Sequence, residues 1–192
     1  MEINCKEPWM AAGEIEKIKS YLNKSKIFFE WGAGGSTLEF SKYVKEYYSV
    51  EHDFEWYQVV SKKIGKNVKL YYVPPHTPDL KWDPYYKRGS YEDFNKYINF
   101  ADNIACFGKK FDAVLIDGRS RAECAFAVLE HLSENAIVFM HDFNRPYYWD
   151  VLKYYDLADI GDKMAVLKKK KIKFNQDRLM LAEKFLLADF KK

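Results

Sequence analysis

Short apolar segments alternate with amphipathic segments along this chain, and this alternation is the feature that most constrains its fold. The amphipathic segments place apolar residues at helical spacing, whereas the apolar segments have the length of strands. Because a strand, a helix and a second strand form a parallel pair with a crossover, the pattern predicts an open, doubly wound α/β sheet. The predicted parallel strands lie at residues 27–29, 46–50, 68–73, 111–118 and 136–140.

The last part of the chain follows a different pattern. Two short apolar segments, at residues 156–160 and 164–168, are joined through Gly161 and Asp162, which is typical of antiparallel strands connected by a tight turn. We therefore expect a Rossmann-like, mostly parallel seven-stranded sheet with a C-terminal antiparallel hairpin. Amphipathic helices are predicted before the first strand and after the hairpin, at residues 13–23 and 175–190.

The segment at about residues 76–107 shows neither periodicity. It is too long for an ordinary connection, so we expect a partly helical insert over the functional edge of the sheet. No repeat or flexible linker divides the remaining sequence, which predicts a single domain over residues 1–192. Aromatic and charged residues are interleaved in the insert, and three of its aromatic residues are candidate substrate contacts: Trp82, Tyr85 and Tyr86.

Composition excludes several classes of protein. Lys and Arg number 31 against 28 Asp and Glu, so the net charge of +3 does not indicate a nucleic-acid partner. No apolar run approaches the ~20 residues of a membrane span, and the N-terminus lacks the pattern of a secretory signal. The three cysteines are far apart and form no metal-binding or disulfide pattern. These features predict a soluble, cytoplasmic protein.

A glycine-rich loop follows the first predicted strand. Gly32, Ala33 and Gly34 allow a tight turn and a close approach of the backbone to a ligand, and either Ser36 or Thr37 can cap the helix that follows. Glu51 ends the second predicted strand, where a carboxylate can accept hydrogen bonds from both hydroxyls of a ribose. Together the two features indicate a nucleoside ligand.

Two nucleoside cofactors are compatible with a glycine loop and a distant acid. The dinucleotide fingerprint would require a third glycine where this chain has Thr37, and Glu30 would place a negative charge close to a pyrophosphate. A sulfonium cofactor with a free amino group would be attracted by Glu30 instead. An NAD-binding oxidoreductase stays as the alternative, as does a domain that binds the nucleoside cofactor without catalysis.

At this point the sequence resembles the class I S-adenosylmethionine-dependent methyltransferases, over about residues 27–168. Glu30, Gly32 and Gly34 match the first motif of that superfamily, and Glu51 matches its ribose-binding acid. The resemblance implies that Glu30 faces the amino group of the methionine moiety and that residues 32–35 pass beneath the cofactor. It also implies further cofactor contacts, from His52 and Val73 around the adenine and from Asp117 and Gly118 after the fourth strand.

Asp117, His141 and Asp142 end the fourth and fifth predicted strands, which places them at one edge of a parallel sheet. A hydroxyl acceptor must lose its proton during methyl transfer, and these residues are the candidate catalytic bases. Their spacing also resembles that of metal-dependent small-molecule O-methyltransferases. In that interpretation Asp117, Asp142 and Asn144 would hold Mg²⁺ or Mn²⁺, and the sequence leaves this alternative open.

The order of motifs is similar to that of enzymes that methylate sugars or glycans, so a sugar hydroxyl is the expected acceptor. Asn144 and Arg119 are further candidate substrate contacts. Arg119 and Arg121 follow Gly118, where they can pair with an anionic substrate or with local carboxylates. The motif of adenine-specific nucleic-acid methyltransferases is missing after the fourth strand, and no nucleic-acid substrate is expected. Homo-oligomers and membership of a longer polypeptide both remain open.

Overall fold

A computed structural model describes residues 5–23, 26–76 and 91–171. Seven strands form one sheet in the order β3-β2-β1-β4-β5-β7-β6. Strands β1 to β5 pair in parallel, whereas β7 is antiparallel to both β5 and β6, as the sequence predicts. The strands are β1 Ile27–Trp31, β2 Glu46–Glu51, β3 Val68–Tyr72, β4 Phe111–Ile116, β5 Leu132–Met140, β6 Tyr155–Ile160 and β7 Ala165–Lys169.

Helices cover both faces of the sheet, because each central strand is apolar on both sides. In β1, Phe29 and Trp31 pack in one core cluster with the helices that precede and follow β4, whereas Phe28 packs in a second cluster with Ile18 of the first helix. The α-helices are α1 Ala12–Tyr21, α2 Gly35–Phe40, α3 Phe54–Ser61, α4 Tyr91–Ile98, α5 Phe100–Ala105 and α6 Arg121–Ala127.

The direction in which strands are added to the sheet reverses between β1 and β4, which creates a crevice at their carboxyl ends. β1 pairs with β2 on one side and with β4 on the other. From β1 the connection through α2 leads to β2, and β3 lies beyond β2 on the same side of β1. The four strands from β4 to β7 lie on the opposite side of β1. Ligands of open α/β sheets bind at this switch point.

Several boundaries differ from those predicted. The sequence also predicts a helix at residues 147–154, and the structure has the 3₁₀ helix Pro146–Lys153 there. Two short helices, α4 and α5, lie in the second half of the predicted insert, whereas the helix predicted at residues 175–190 lies outside the described residues. The sequence predicts Ser36 or Thr37 at the N-cap of α2, whereas Gly34 holds that position. Both hydroxyls donate to a buried carboxylate, and the Thr37 hydroxyl also accepts the N–H of Gly34 at 3.0 Å.

The segment before α1 crosses the glycine loop. Cys5 is buried against Ala33 and Val60. A Cβ atom on Gly35 would lie 2.0 Å from the carbonyl oxygen of Glu7, so only glycine permits this close crossing. The N-terminal segment is therefore one wall of the crevice. None of the helices in the described ranges combines the length and the apolar character that a membrane crossing needs.

Candidate functional site

Two glycines pack backbone to backbone where β1 and β4 end. Gly32 has a φ of +93°, and a Cβ atom on it would lie 2.8 Å from Cα of Gly118. The backbone N–H groups of Gly32 and Asp117 donate to Val50 and Trp31, at 2.9 Å and 3.0 Å. The two loops form a narrow floor without side chains, which allows a flat ligand to approach the backbone closely.

The carboxylate of Glu51 organises the neighbouring turn. It accepts hydrogen bonds from the backbone N–H groups of Ala33 at 2.8 Å, His52 at 2.8 Å and Asp53 at 2.7 Å. The residue is only 3% exposed, so these charge-assisted bonds offset the desolvation of its carboxylate. Glu51 therefore fixes the glycine loop to the end of β2, the position that the sequence predicts for ribose recognition.

Polar atoms without hydrogen-bond partners lie beside Glu51. Tyr97 Oη and His52 Nδ1 are buried, and neither has a partner among the described residues; the His52 nitrogen is 2.8 Å from Glu51 Oε1 but is not aligned for a hydrogen bond. Most buried polar groups of folded proteins have a hydrogen-bond partner, and a ligand or an ordered water can supply one. Val73 is buried next to them, with its N–H donating to the Glu51 carbonyl at 2.8 Å. These groups fit the nucleoside part of a cofactor.

Glu30 is placed differently from the expectation. Its carboxylate is fully buried below the glycine loop and accepts hydrogen bonds from three hydroxyls: those of Ser36, Thr37 at 2.5 Å and Ser49 at 2.8 Å. Burial raises the pKa of Glu30 to about 7, although the three hydroxyls favour the ionised form. Glu30 thus supports the loop from beneath, and its oxygens are not directed at an amino group in the crevice.

This burial predicts a pH dependence of stability. Since the pKa of Glu30 rises from 4.5 to about 7 on folding, the folded state binds more protons than the unfolded state between those pH values. The free energy of unfolding therefore falls as pH rises through this window, by at most about 3 kcal/mol. We expect Glu30→Gln to remove that slope in urea titrations at pH 5 to 8, whereas Glu134→Gln, at an exposed site, should retain it. An unchanged slope in Glu30→Gln would contradict the assignment.

A cavity of about 590 Å³ lies beside the glycine loop, at the ends of β4 and β5. The N-terminal segment forms one wall, and the turn between β6 and β7 forms another. Pro8, which packs against Gly35, belongs to this wall and so links the cavity to the loop. The other lining residues are Trp9, Met10, Ala11, Glu14, Asp117, Arg121, His141, Asp142, Asp162 and Lys163.

Asp117 and His141 form a hydrogen-bonded pair in this cavity. Nδ1 of His141 lies 3.0 Å from Oδ1 of Asp117, as expected for neighbouring strand ends. Burial disfavours the charged imidazole, but the hydrogen bond and charge of Asp117, with smaller contributions from Asp142 and Glu14, raise the pKa of His141 above its ordinary value. The predicted catalytic residues are therefore close together, and the histidine is held in one orientation.

Arg121 lies between the two predicted catalytic carboxylates. Its guanidinium contacts Asp117 Oδ1 and Asp142 Oδ2, both at 3.1 Å, and donates to the His141 carbonyl at 2.6 Å. Of the two alternatives for this residue, the structure supports pairing with local carboxylates. Arg145 adds a second contact to Asp142, at 2.8 Å.

The predicted metal ligands do not fit a divalent cation. Arg121 lies where Mg²⁺ or Mn²⁺ would have to bridge Asp117 and Asp142, and Asn144 is exposed. Residues 5–23, 26–76 and 91–171 contain no cluster of three or more acidic, histidine or cysteine side chains suited to a metal. A guanidinium supplies the positive charge that the sequence pattern attributes to a metal.

Two of the candidate substrate residues, Arg119 and Asn144, are among the described residues, and neither lines the cavity. Nε of Arg119 lies 3.4 Å from Nε2 of His52, at the nucleoside end. Trp82, Tyr85 and Tyr86 lie outside the described residues.

Sequence reasoning missed two residues on the N-terminal side of the site, Trp9 and Glu14. Trp9 and Glu14 line the cavity, and the Trp9 ring packs edge-on against Trp56 with a centroid separation of 5.1 Å. Glu14 is in the first turn of α1, where an acidic residue is typical of a helix cap. It does have that role, because its carboxylate accepts the N–H of Ala11. No local signal indicates that these residues reach the ends of β4 and β5.

Several solved structures with a similar fold are methyltransferases or methyltransferase-like proteins. A methyltransferase-like protein from Silicibacter pomeroyi has a TM-score of 0.72 at 20% identity, covering 94% of this chain and 96% of that chain. The tRNA (m1A58) methyltransferase TrmI from Aquifex aeolicus has a TM-score of 0.56 at 18% identity, covering 90% and 74%. MycE, from mycinamycin biosynthesis, was solved with Mg, SAH and mycinamycin VI; it has a TM-score of 0.52 at 14% identity, covering 84% and 49%.

The sequence itself matches no protein-family model and no curated protein. The strand order, the C-terminal antiparallel hairpin and these neighbours show that the fold is the one found in class I S-adenosylmethionine-dependent methyltransferases, which confirms the predicted fold class.

Proposed function

We propose that this protein transfers a methyl group from S-adenosylmethionine to a hydroxyl group of a small substrate. The observation that carries the proposal is the Asp117–His141 pair, which lines a cavity next to the glycine floor of a methyltransferase fold. A fold alone does not define an activity. The proposal therefore rests on a base, a cavity and a nucleoside-compatible crevice at one edge of the sheet.

The cofactor supplies an electrophilic methyl group on a positively charged sulfur. The crevice offers Glu51 and the orphan groups of His52 and Tyr97 to its nucleoside part, and the glycine floor of Gly32 and Gly118 to its sulfonium part. Holding donor and acceptor in line removes much of the entropic barrier to a displacement reaction. These residues therefore align the reaction without entering it.

His141 is the proposed general base. Asp117 binds Nδ1, which leaves Nε2 as the nitrogen that receives the proton of the acceptor hydroxyl. The acceptor O–H bond breaks as the oxygen forms its bond to the methyl carbon, and the carbon–sulfur bond breaks in the same step. Arg121 holds both carboxylates and the His141 carbonyl, so it keeps the ends of β4 and β5 in register during this step.

A sugar is the acceptor that we propose. Trp9 presents a ring that is 71% exposed at the cavity wall, and polar side chains such as His141, Asp162 and Lys163 line the other sides. Sugars combine apolar C–H faces with hydroxyl groups, so an aromatic surface next to polar groups matches them in chemistry. Trp9 takes the role that the sequence suggests for Trp82, Tyr85 and Tyr86.

Calorimetric titration tests the cofactor. We expect S-adenosylmethionine and its demethylated product to bind with micromolar affinity, with or without Mg²⁺, and NAD to show no binding. Binding of NAD alone would instead support an oxidoreductase.

A screen for formation of S-adenosylhomocysteine with glycosides and short RNAs then identifies the acceptor. Cofactor binding without transfer to any acceptor would favour the non-catalytic alternative, and transfer to RNA alone would overturn the sugar assignment.

A further inference from the structure

Glu14 is a buried carboxylate that joins three parts of the site. It is 2% exposed, although it lies in the first turn of the N-terminal helix α1. Oε2 accepts the N–H of Ala11 at 2.9 Å, and Oε1 accepts the N–H of Lys163, in the turn between β6 and β7, at 2.7 Å. A Cβ atom on Gly161 would lie 3.1 Å from Glu14 Cγ, so the turn fits closely around this side chain.

The same carboxylate faces the histidine of the cavity. Oε2 of Glu14 lies 3.5 Å from Nε2 of His141, while Asp117 binds Nδ1 on the other side of the ring at 3.0 Å. The longer distance is beyond a normal hydrogen bond. Nε2 therefore lies within the field of a carboxylate but retains its capacity to bind a ligand in the cavity.

Few groups lie close enough to the Glu14 carboxylate to offset the cost of burying its charge. His141 is the only basic side chain within 4.0 Å of its carboxylate in the part of the chain that the structure describes. The two backbone N–H groups offset part of the desolvation cost, and a protonated imidazole offsets more of it. The Glu14 carboxylate therefore stabilises the imidazolium form of His141, which forms when Nε2 receives a proton.

We propose that Glu14 is a positioning residue for His141, which orients the Nε2 edge of the ring into the cavity and stabilises the imidazolium formed during deprotonation of the acceptor. The inference rests on the proposed function, in which His141 is the base. The proton moves from the acceptor hydroxyl to Nε2 and stays there. Glu14 neither gives nor receives a proton in this step and acts through its position beside Nε2.

Charged groups on every neighbouring element contribute to the field at His141. Asp117 follows β4, Asp142 follows the histidine itself, and Glu14 comes from α1. Arg121 of α6 binds the His141 carbonyl, and Asp162 and Lys163 of the β6–β7 turn line the same cavity. Among the three carboxylates that act on His141, only Glu14 lies within 4.0 Å of Nε2.

The experiment compares Glu14→Gln with Glu16→Gln, an exposed glutamate on the same helix that pairs with Lys19. The readout is the ¹⁵N chemical shifts of the His141 ring at pH 7 in the protein without ligand, which report the ratio of imidazolium to imidazole. We expect this ratio to fall about three- to tenfold in Glu14→Gln and to stay unchanged in Glu16→Gln. Unchanged His141 shifts in a folded Glu14→Gln protein would overturn the inference.

Kinetics with the identified acceptor separate positioning from a structural role. In Glu14→Gln we expect kcat to fall about tenfold or more with little change in the acceptor KM, since the ring loses support for its charged form. Glu14→Asp, which restores the charge, should recover part of kcat. Equal effects of Gln and Asp, or a change in KM alone, would contradict the inference. If no acceptor is methylated, the proposed function fails while the ¹⁵N comparison still tests the contact.

Discussion

His141→Gln should reduce the rate of methyl transfer by about 10²- to 10⁴-fold, the usual contribution of a general base. Glutamine can still hydrogen-bond to Asp117, but it cannot accept the proton of the acceptor hydroxyl. Cofactor affinity should change little, because the ring lies in the cavity and not on the glycine floor. Single-turnover transfer to the best acceptor, with calorimetry of S-adenosylhomocysteine, measures both quantities.

His131 is the matched control for this variant. It pairs with Asp102 at 2.5 Å, ahead of β5 and outside the lining of the cavity, so His131→Gln should leave the rate unchanged.

The dependence of kcat/KM on pH is a second readout of the role of His141. Because the pKa of His141 is raised, kcat/KM of the wild-type protein should fall on acidification from a pH above the ordinary histidine value of about 6.5. Near-normal transfer in His141→Gln would assign the base to another group.

Glu51→Ala should weaken binding of S-adenosylhomocysteine by at least about tenfold. The substitution leaves three backbone N–H groups of the loop and the β2 end without their acceptor, and each such loss costs about 1–3 kcal/mol when water cannot replace it. It also removes the proposed acceptor for the ribose hydroxyls. Transfer should recover in part at high cofactor concentration, because the Asp117–His141 pair is untouched.

Glu55→Ala provides the comparison for Glu51→Ala. Glu55 is exposed in the first turn of α3, close in sequence to Glu51 but outside the crevice. Cofactor affinity should therefore be unchanged, and calorimetry under the same conditions gives the ratio. If Glu51→Ala bound the cofactor normally while losing transfer, Glu51 would belong to the chemical step and the roles assigned to the two ends of the site would have to be exchanged.

The guanidinium of Arg121 distinguishes this site from the metal-dependent pattern to which its sequence is similar. Asp117 and Asp142 follow neighbouring parallel strands in both interpretations, so strand order alone cannot separate them. The difference depends on a side chain of α6 that reaches back to both carboxylates. In the proposed mechanism the fixed positive charge belongs to the protein and orients the strand ends.

The order of strands and helices, the C-terminal hairpin and the edge of the sheet at which the candidate site residues lie are determined by the sequence alone. The spacing of apolar residues indicates which residues are buried, and glycines indicate the turn at the switch point. Because parallel strands end at a common edge, Glu51, Asp117 and His141 could be assigned to that edge before their contacts were known. These are local properties of the chain, and local rules suffice to predict them.

Only the tertiary structure decided what each of these side chains contacts. The alternation of β1 turns Glu30 towards the hydroxyls of Ser36, Thr37 and Ser49, so an acid predicted to face the cofactor supports the loop from below. Glu14 approaches His141 because the packing of α1 against the β6–β7 turn brings residues distant in sequence together. Such contacts depend on how whole elements pack, and no single segment of sequence encodes them.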